Sequence, residues 1–272
     1  MPGLIWFGLF IILVVTASCG YLIYHDVVVE RDADKERQTE IAPDRKVPHA
    51  LEARKVAIII DDIGYDPSPV AKILTLDAPV TLAILPHCPY SFESAMKAHN
   101  AGKEVMLHLP MEPCNYPEKN PGDGALLTDM SAADICRQLE RNLTSVPYAR
   151  GVNNHMGSKF MQDEEKLEVV FRKLQRNNLF FIDSYTTNGT KGKQIAGRLG
   201  LKFAGRDVFI DNNSNFTDTL AIFQTMIDKR NNWHTLIFIG HPYESTVRAL
   251  TKAIPMLRTH NIDIVTVSEL AE

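Results

Sequence analysis

Short apolar runs, separated by stretches of helical period, constrain this chain more than any other feature. The runs fall at 56–60, 80–85, 105–109, 179–182, 236–239 and 262–267, rich in Val, Ile, Leu and Phe. Between them, DEEKLEVVFRKLQRNN (163–178), NFTDTLAIFQTMIDKRNN (215–232) and ESTVRALTKAIPMLRTHN (244–261) repeat apolar residues at helical spacing. Ser91 and Ser131 stand where helix N-caps belong, and Gly102 closes the segment that Ser91 opens. Weaker strands are expected at 150–152 and 202–204. Such alternation builds one α/β domain on a parallel sheet, and seven or eight strand–helix units in roughly 215 residues close most economically as a barrel. A doubly wound open sheet is the alternative architecture.

The first residues are a different material. Residues 4–24 carry no charge over about the length a helix needs to cross a bilayer. An uncleaved signal anchor is the first reading; a cleaved signal peptide, or a lipoprotein signal ending at Cys19, are the others. Residues 25–54 include ERDADKERQTE and are expected to be a charged, flexible linker. The globular part, 55–272, is then periplasmic or extracytoplasmic, anchored to the inner membrane by residues 4–24 or secreted after cleavage. A net charge of -4 offers no basic field, which argues against a nucleic-acid partner. Four cysteines with no C-x-x-C pair argue against a zinc ribbon or a dithiol redox motif. Cys88 and Cys114 follow adjacent expected strands and form either a disulfide across the mouth or two free thiols, while Cys136 falls on a helix as a core residue.

The run 56–60 ends on two adjacent carboxylates, Asp61 and Asp62. In parallel α/β folds the carboxyl ends of the strands open onto the ligand crevice, so residues just past a buried run are aimed at the site. His108, the trio Asn153, Asn154 and His155, then Asp183 and His241 all hold equivalent positions. Any one of them alone reads as a turn former or a satisfied polar residue. Two aspartates and three histidines at successive strand ends instead suit a divalent ion such as zinc. Successive side chains diverge, so one aspartate of the pair can bind the ion while the other reaches a water. That is a hydrolase arrangement. His99 and His260 fall on helix surfaces and need no function. Tyr65, Tyr90, Tyr116, Tyr185 and Tyr243 lie in strand-end loops, either to stack on sugar rings or as amphipathic cover.

IIIDDIGY (58–65), HLPME (108–112), NNHMGS (153–158), FFIDSYT (180–186) and IGHP (239–242) resemble, in order, the motifs of the divergent polysaccharide deacetylase family, a branch of the NodB-like carbohydrate esterases. The resemblance covers nearly all of 55–270. It implies a distorted (β/α)7 barrel, a single bound metal and removal of acetyl groups from polysaccharide or peptidoglycan. By that resemblance Asp61 is the general base, Asp62 and His108 are metal ligands, and His241 is the general acid. Two departures stand out. Four residues after His108, where the well-studied esterases carry a second histidine, stands Glu112, so the third ligand is either Glu112 or, as favoured here, His155. The Arg-Pro motif usual on the fourth strand is replaced by NNHMGS. In an active site the ion would polarise the acetyl carbonyl and acidify a water, Asn154 or a backbone N–H would steady the oxyanion, and Asp183 would either orient His241 or only cap its own loop. A catalytically inactive barrel that binds glycan or an envelope protein is the alternative function. A glycosidase using Asp61 and Asp183 leaves the histidines unexplained.

Overall fold

A computed structural model describes residues 54–272; the expected membrane segment and its linker lie outside the described residues, except that Arg54 already begins the first strand. The strands are β1 (Arg54–Ile63), β2 (Thr81–Ile84), β3 (Glu104–Met111), β4 (Ala149–Met156), β5 (Phe180–Asp183), β6 (Phe203–Gly205), β7 (Val208–Phe209), β8 (Thr235–Gly240) and β9 (Ile262–Val265). The helices are α1 (Pro67–Leu74), α2 (Ser91–Asn100), α3 (Ala132–Ser145), α4 (Glu164–Arg176), α5 (Gly192–Leu199), α6 (Phe216–Asp228) and α7 (Glu244–Thr259).

Every strand pairing is parallel, in the order β6-β5-β4-β3-β2-β1-β8-β7, with β9 on the first half of β1. The two edge strands of this path, β6 and β7, are joined by only Arg206 and Asp207, so the sheet must curl until its edges approach. The barrel expected from the alternation is therefore present as a curled sheet whose seam is a short covalent link, not a hydrogen-bonded ladder. β2, between β1 and β3, stops after four residues.

Curling divides the core in two. An outer layer between sheet and helices takes Ile58, Ile60, Leu107, Val152, Phe181 and Phe238. An inner layer inside the curl takes Ala57, Ile59, Ala83, Met106, Phe180, Ile182, Ile237 and Ile239. Neighbouring strand residues go to opposite layers because side chains alternate across a strand. Fully burying each large side chain contributes about 1.5–3 kcal/mol, so strands buried on both faces read as unbroken apolar runs. Space inside the curl is tight: a Cβ on Gly151 would stand 2.3 Å from the Phe180 ring.

Ser131 caps α3 as expected, accepting from the Asp134 N–H at 3.2 Å. Ser91 does not cap α2. It is the first helical residue, and its hydroxyl accepts from the Cys88 N–H at 2.9 Å while donating to the Leu85 carbonyl, which ties the loop to the end of β2. Gly102 follows α2 with φ +70, a left-handed conformation that glycine adopts freely. Three short elements, α1, α5 and β7, had no clear periodic signal. Cys88, Cys114 and Cys136 are free thiols.

Candidate metal centre

The site stands directly on the inner layer. Two residues beyond Ile59 lies Asp61, two beyond Met106 lies His108, two beyond Ile239 lies His241, and beyond Gly151 come Asn153 and His155. The alternation that sends these side chains inward lower down carries polar ones to the rim above. Asp62, by parity, belongs outside. A shift of register between Ile60 and Ile63 and a left-handed backbone at Asp62, φ 56, turn it back over the end of the curl. Strained backbone of this kind is costly and persists where its surroundings hold it.

Asp62, His108 and His155 meet as a triangle. Asp62 Oδ1 lies 3.0 Å from His155 Nδ1 and 3.2 Å from His108 Nε2, and the two nitrogens are 3.1 Å apart. At metal–ligand lengths of roughly 2.0–2.1 Å, edges of this size correspond to ligand–metal–ligand angles of about 90–105°. Asp62 Oδ1 is buried and takes no well-directed hydrogen bond from a protein group. An orphaned carboxylate oxygen facing two imidazole nitrogens is a donor set that fits a divalent cation.

The surrounding groups are organised around this triangle. His108 Nδ1 lies 2.9 Å from Asn153 Oδ1, and Asn153 Nδ2 donates to Asp61 Oδ1 at 2.8 Å. Across the rim, His241 Nε2 lies 3.6 Å from Asp62 Oδ2, and its Nδ1 lies 3.1 Å from Asp211 Oδ1. Asp211 Oδ2 also accepts from the His241 N–H at 2.6 Å and from the Thr246 hydroxyl at 2.8 Å.

Electrostatics separates the two adjacent aspartates. Burial raises the pKa of Asp61, and His108 and the Asn153 hydrogen bond only partly counter it. Burial would also raise Asp62, but the imidazoles of His108 and His155 outweigh it and hold that carboxyl well below the usual range. Burial depresses His108, yet Asp61 and Asp62 together lift it to about 9. His241 is likewise raised, its burial outweighed by Asp211 and the Asp62 charge.

Three expected site residues are engaged elsewhere. Asp183 does not reach His241: it shares the outer face with Phe181, accepts from the Tyr185 N–H at 2.8 Å and the Thr190 hydroxyl at 2.6 Å, and so caps its own loop. β5 and β8 also have four strands between them along the sheet, whereas Asp211 follows β7, the direct neighbour of β8. Asn154 follows Val152 on the outer face, where it accepts from Ser184 N and donates to the Met156 carbonyl, leaving it no oxyanion to serve. Glu112 accepts from Thr128 N–H and hydroxyl and pairs with Lys159 at 2.6 Å, which holds its carboxyl below the usual range against the opposing effect of burial. The tyrosines Tyr65, Tyr90, Tyr116, Tyr185 and Tyr243 are all exposed, and the Tyr243 ring lies 5.5 Å from that of His241.

Sequence reasoning missed Asp211 and gave Asn153 no role. Asp211 follows VFI, a run too short to register as a strand, although its spacing of two from Phe209 repeats the pattern of Asp61 after Ile59.

The family model described as divergent polysaccharide deacetylase matches residues 58–271. YibQ of Escherichia coli K12 is 39% identical over 204 residues, 74% of this chain and 63% of that protein, so the chain spans less than two thirds of this relative. The crystal structure of a protein from Agrobacterium tumefaciens C58 superposes with a TM-score of 0.76 at 25% identity, over 82% of this chain and 91% of that one. A mutant of the CE4 family pseudoenzyme BA3943 with restored enzymatic activity shares the fold, with a TM-score of 0.50 at 16% identity over 82% of this chain and 69% of that one. With its curled parallel sheet, and with the family match running almost from β1 to the last residue, this chain belongs to the divergent polysaccharide deacetylase family.

Proposed function

We propose that this protein is a metal-dependent deacetylase that removes acetyl groups from an envelope polysaccharide or peptidoglycan, with zinc as its ion. One observation carries the reading: the triangle of Asp62, His108 and His155 lies between a buried carboxyl of raised pKa, Asp61, and an imidazole of raised pKa, His241. Family membership supports the polysaccharide. Two imidazoles and one carboxylate supply three ligands and leave a position for solvent or substrate, the donor pattern of catalytic zinc.

Zinc held there would act as a Lewis acid on the acetyl carbonyl. Asp61, made more basic by burial, takes a proton from the water that attacks the carbonyl carbon. His241, kept protonated by Asp211, gives a proton to the sugar amine or hydroxyl as its bond to the acetyl carbon breaks, and acetate leaves. Exposed tyrosines around the rim offer flat apolar faces for sugar rings. The domain works outside the cytoplasm, tethered through residues 4–24 by the linker 25–54.

The test is metal content and acetate release on the purified protein, with Asp62→Ala and His108→Ala as controls. Stoichiometric zinc in the wild type, lost in both variants, together with acetate from acetylated chitooligosaccharides or peptidoglycan, is the expected result. Bound zinc without acetate from either substrate refutes the catalytic reading in favour of a glycan-binding barrel.

A further inference from the structure

We infer that Asn153 is a positioning residue that holds two functional groups at once: it fixes which nitrogen His108 presents to the ion and aims the Asp61 carboxylate. For its Asp61 half the inference rests on the deacetylase reading above; its His108 half needs only a bound cation.

The argument follows from donors and acceptors. β3 and β4 run in a register that places His108 beside Asn153 on the inner face. Asn153 is fully buried, so its amide has no solvent to satisfy it. An ionised carboxylate can only accept, so the Asn153 atom 2.8 Å from Asp61 Oδ1 must be the amide nitrogen. The amide oxygen then faces His108 Nδ1 at 2.9 Å, and because that oxygen can only accept, Nδ1 must carry the hydrogen. Nε2, the nitrogen 3.2 Å from Asp62 Oδ1, is then the one that gives up its hydrogen to a cation. The remaining amide hydrogen reaches Ser184 Oγ at 3.4 Å. One side chain thus ties the protonation pattern of a ligand to the orientation of the base. Asn154, one residue on and facing the other way, touches neither.

Neutrality matters as well as geometry. The amide donates to Asp61 without bringing a positive charge, so the carboxylate is held in place by a neutral partner. A carboxylate at position 153 would keep the bond to His108 and set a like charge against Asp61.

Full-length Asn153→Ala and Asn153→Asp separate the two halves by zinc affinity in chelator competition, the His108 Nδ1–H resonance of the zinc-loaded protein, and kcat and KM for acetate release. Asn153→Ala should weaken zinc by about 10–100-fold and lose the resonance, the loss typical of removing a partner behind a ligand histidine. Asn153→Asp should keep both yet lower kcat at least about 10-fold with KM unchanged, because only the contact to the base is spoiled. A packing role alone would not divide affinity from turnover in this way. Wild-type zinc affinity in Asn153→Ala, or wild-type kcat in Asn153→Asp, overturns the assignment. A wild-type protein that binds zinc but releases no acetate defeats the deacetylase reading, while the two zinc affinities still decide for or against Asn153.

Discussion

Loading the site with zinc should expel a proton from His108, and the surroundings of that ring set the size of the effect. The side chain is buried, its Nδ1 3.7 Å from Asp61 Oδ1 and its Nε2 3.2 Å from Asp62 Oδ1, and its pKa stands at about 9. At pH 7, two units lower, roughly 99% of the metal-free protein carries the imidazolium. A ligand histidine must give up the hydrogen on the coordinating nitrogen, so zinc uptake at pH 7 releases close to one proton from this ring. Apparent affinity should then rise about tenfold per pH unit, roughly a hundredfold between pH 7 and 9, and level off above. Calorimetric titration in buffers of different ionisation enthalpy counts the proton directly. The same proton stabilises the metal-free fold. Because the folded pKa of about 9 lies above the ordinary 6.5, the contribution is fully present below pH 6.5 and is lost as pH rises through 9. It is on the order of 3 kcal/mol, visible as a fall in urea midpoint over that window. A binding enthalpy independent of buffer at pH 7, or an affinity flat from pH 7 to 9, would refute the reasoning.

Asp211→Asn places an amide against the three donors that end on Asp211, the His241 ring, the His241 N–H and the Thr246 hydroxyl, and removes the charge that helps raise His241. The alkaline fall-off of kcat, where His241 loses its acid proton, should move to lower pH, with kcat at pH 8 down about a hundredfold and zinc affinity intact. Asp183→Ala should cost about 1–3 kcal/mol in denaturant unfolding, from two lost hydrogen bonds that leave Tyr185 N–H and Thr190 unsatisfied, without changing zinc affinity. Gly151→Ala drives a methyl group into the Phe180 ring and should cost about 1–3 kcal/mol by the same measurement.

The parallel barrel was legible because strands buried on both faces leave unbroken apolar runs, and long amphipathic helices such as α4 and α7 leave a helical period. The ring of strand-end residues followed from topology alone. What an unbroken run hides is parity. Within Phe180, Phe181 and Ile182 every residue is apolar, so nothing in the letters says that Asp183 continues the outer face while Ser184 continues the inner one. The same ambiguity misplaced Asn154 and concealed Asn153. Asp62 is the converse case, since its parity points outward and only a backbone turn to positive φ returns it, a turn that tertiary packing decides. Asp211 was hidden because the two residues of β7 gain their strand geometry from β8 and not from local pattern.

β1 and β3, which carry two corners of the triangle, are not neighbours, since β2 runs between them and ends at Ile84. It pairs with both of them, Ile63 lying opposite Ile84 and Ile84 opposite Leu107, so the aspartate on one flank and the imidazole on the other are spaced across an intervening strand. The separation of those two corners is therefore set by a strand that contributes no residue to the triangle. Displacing β2 would move the donors relative to one another with every one of them unaltered, so the reach of the site is written in a segment that no comparison of ligands would single out.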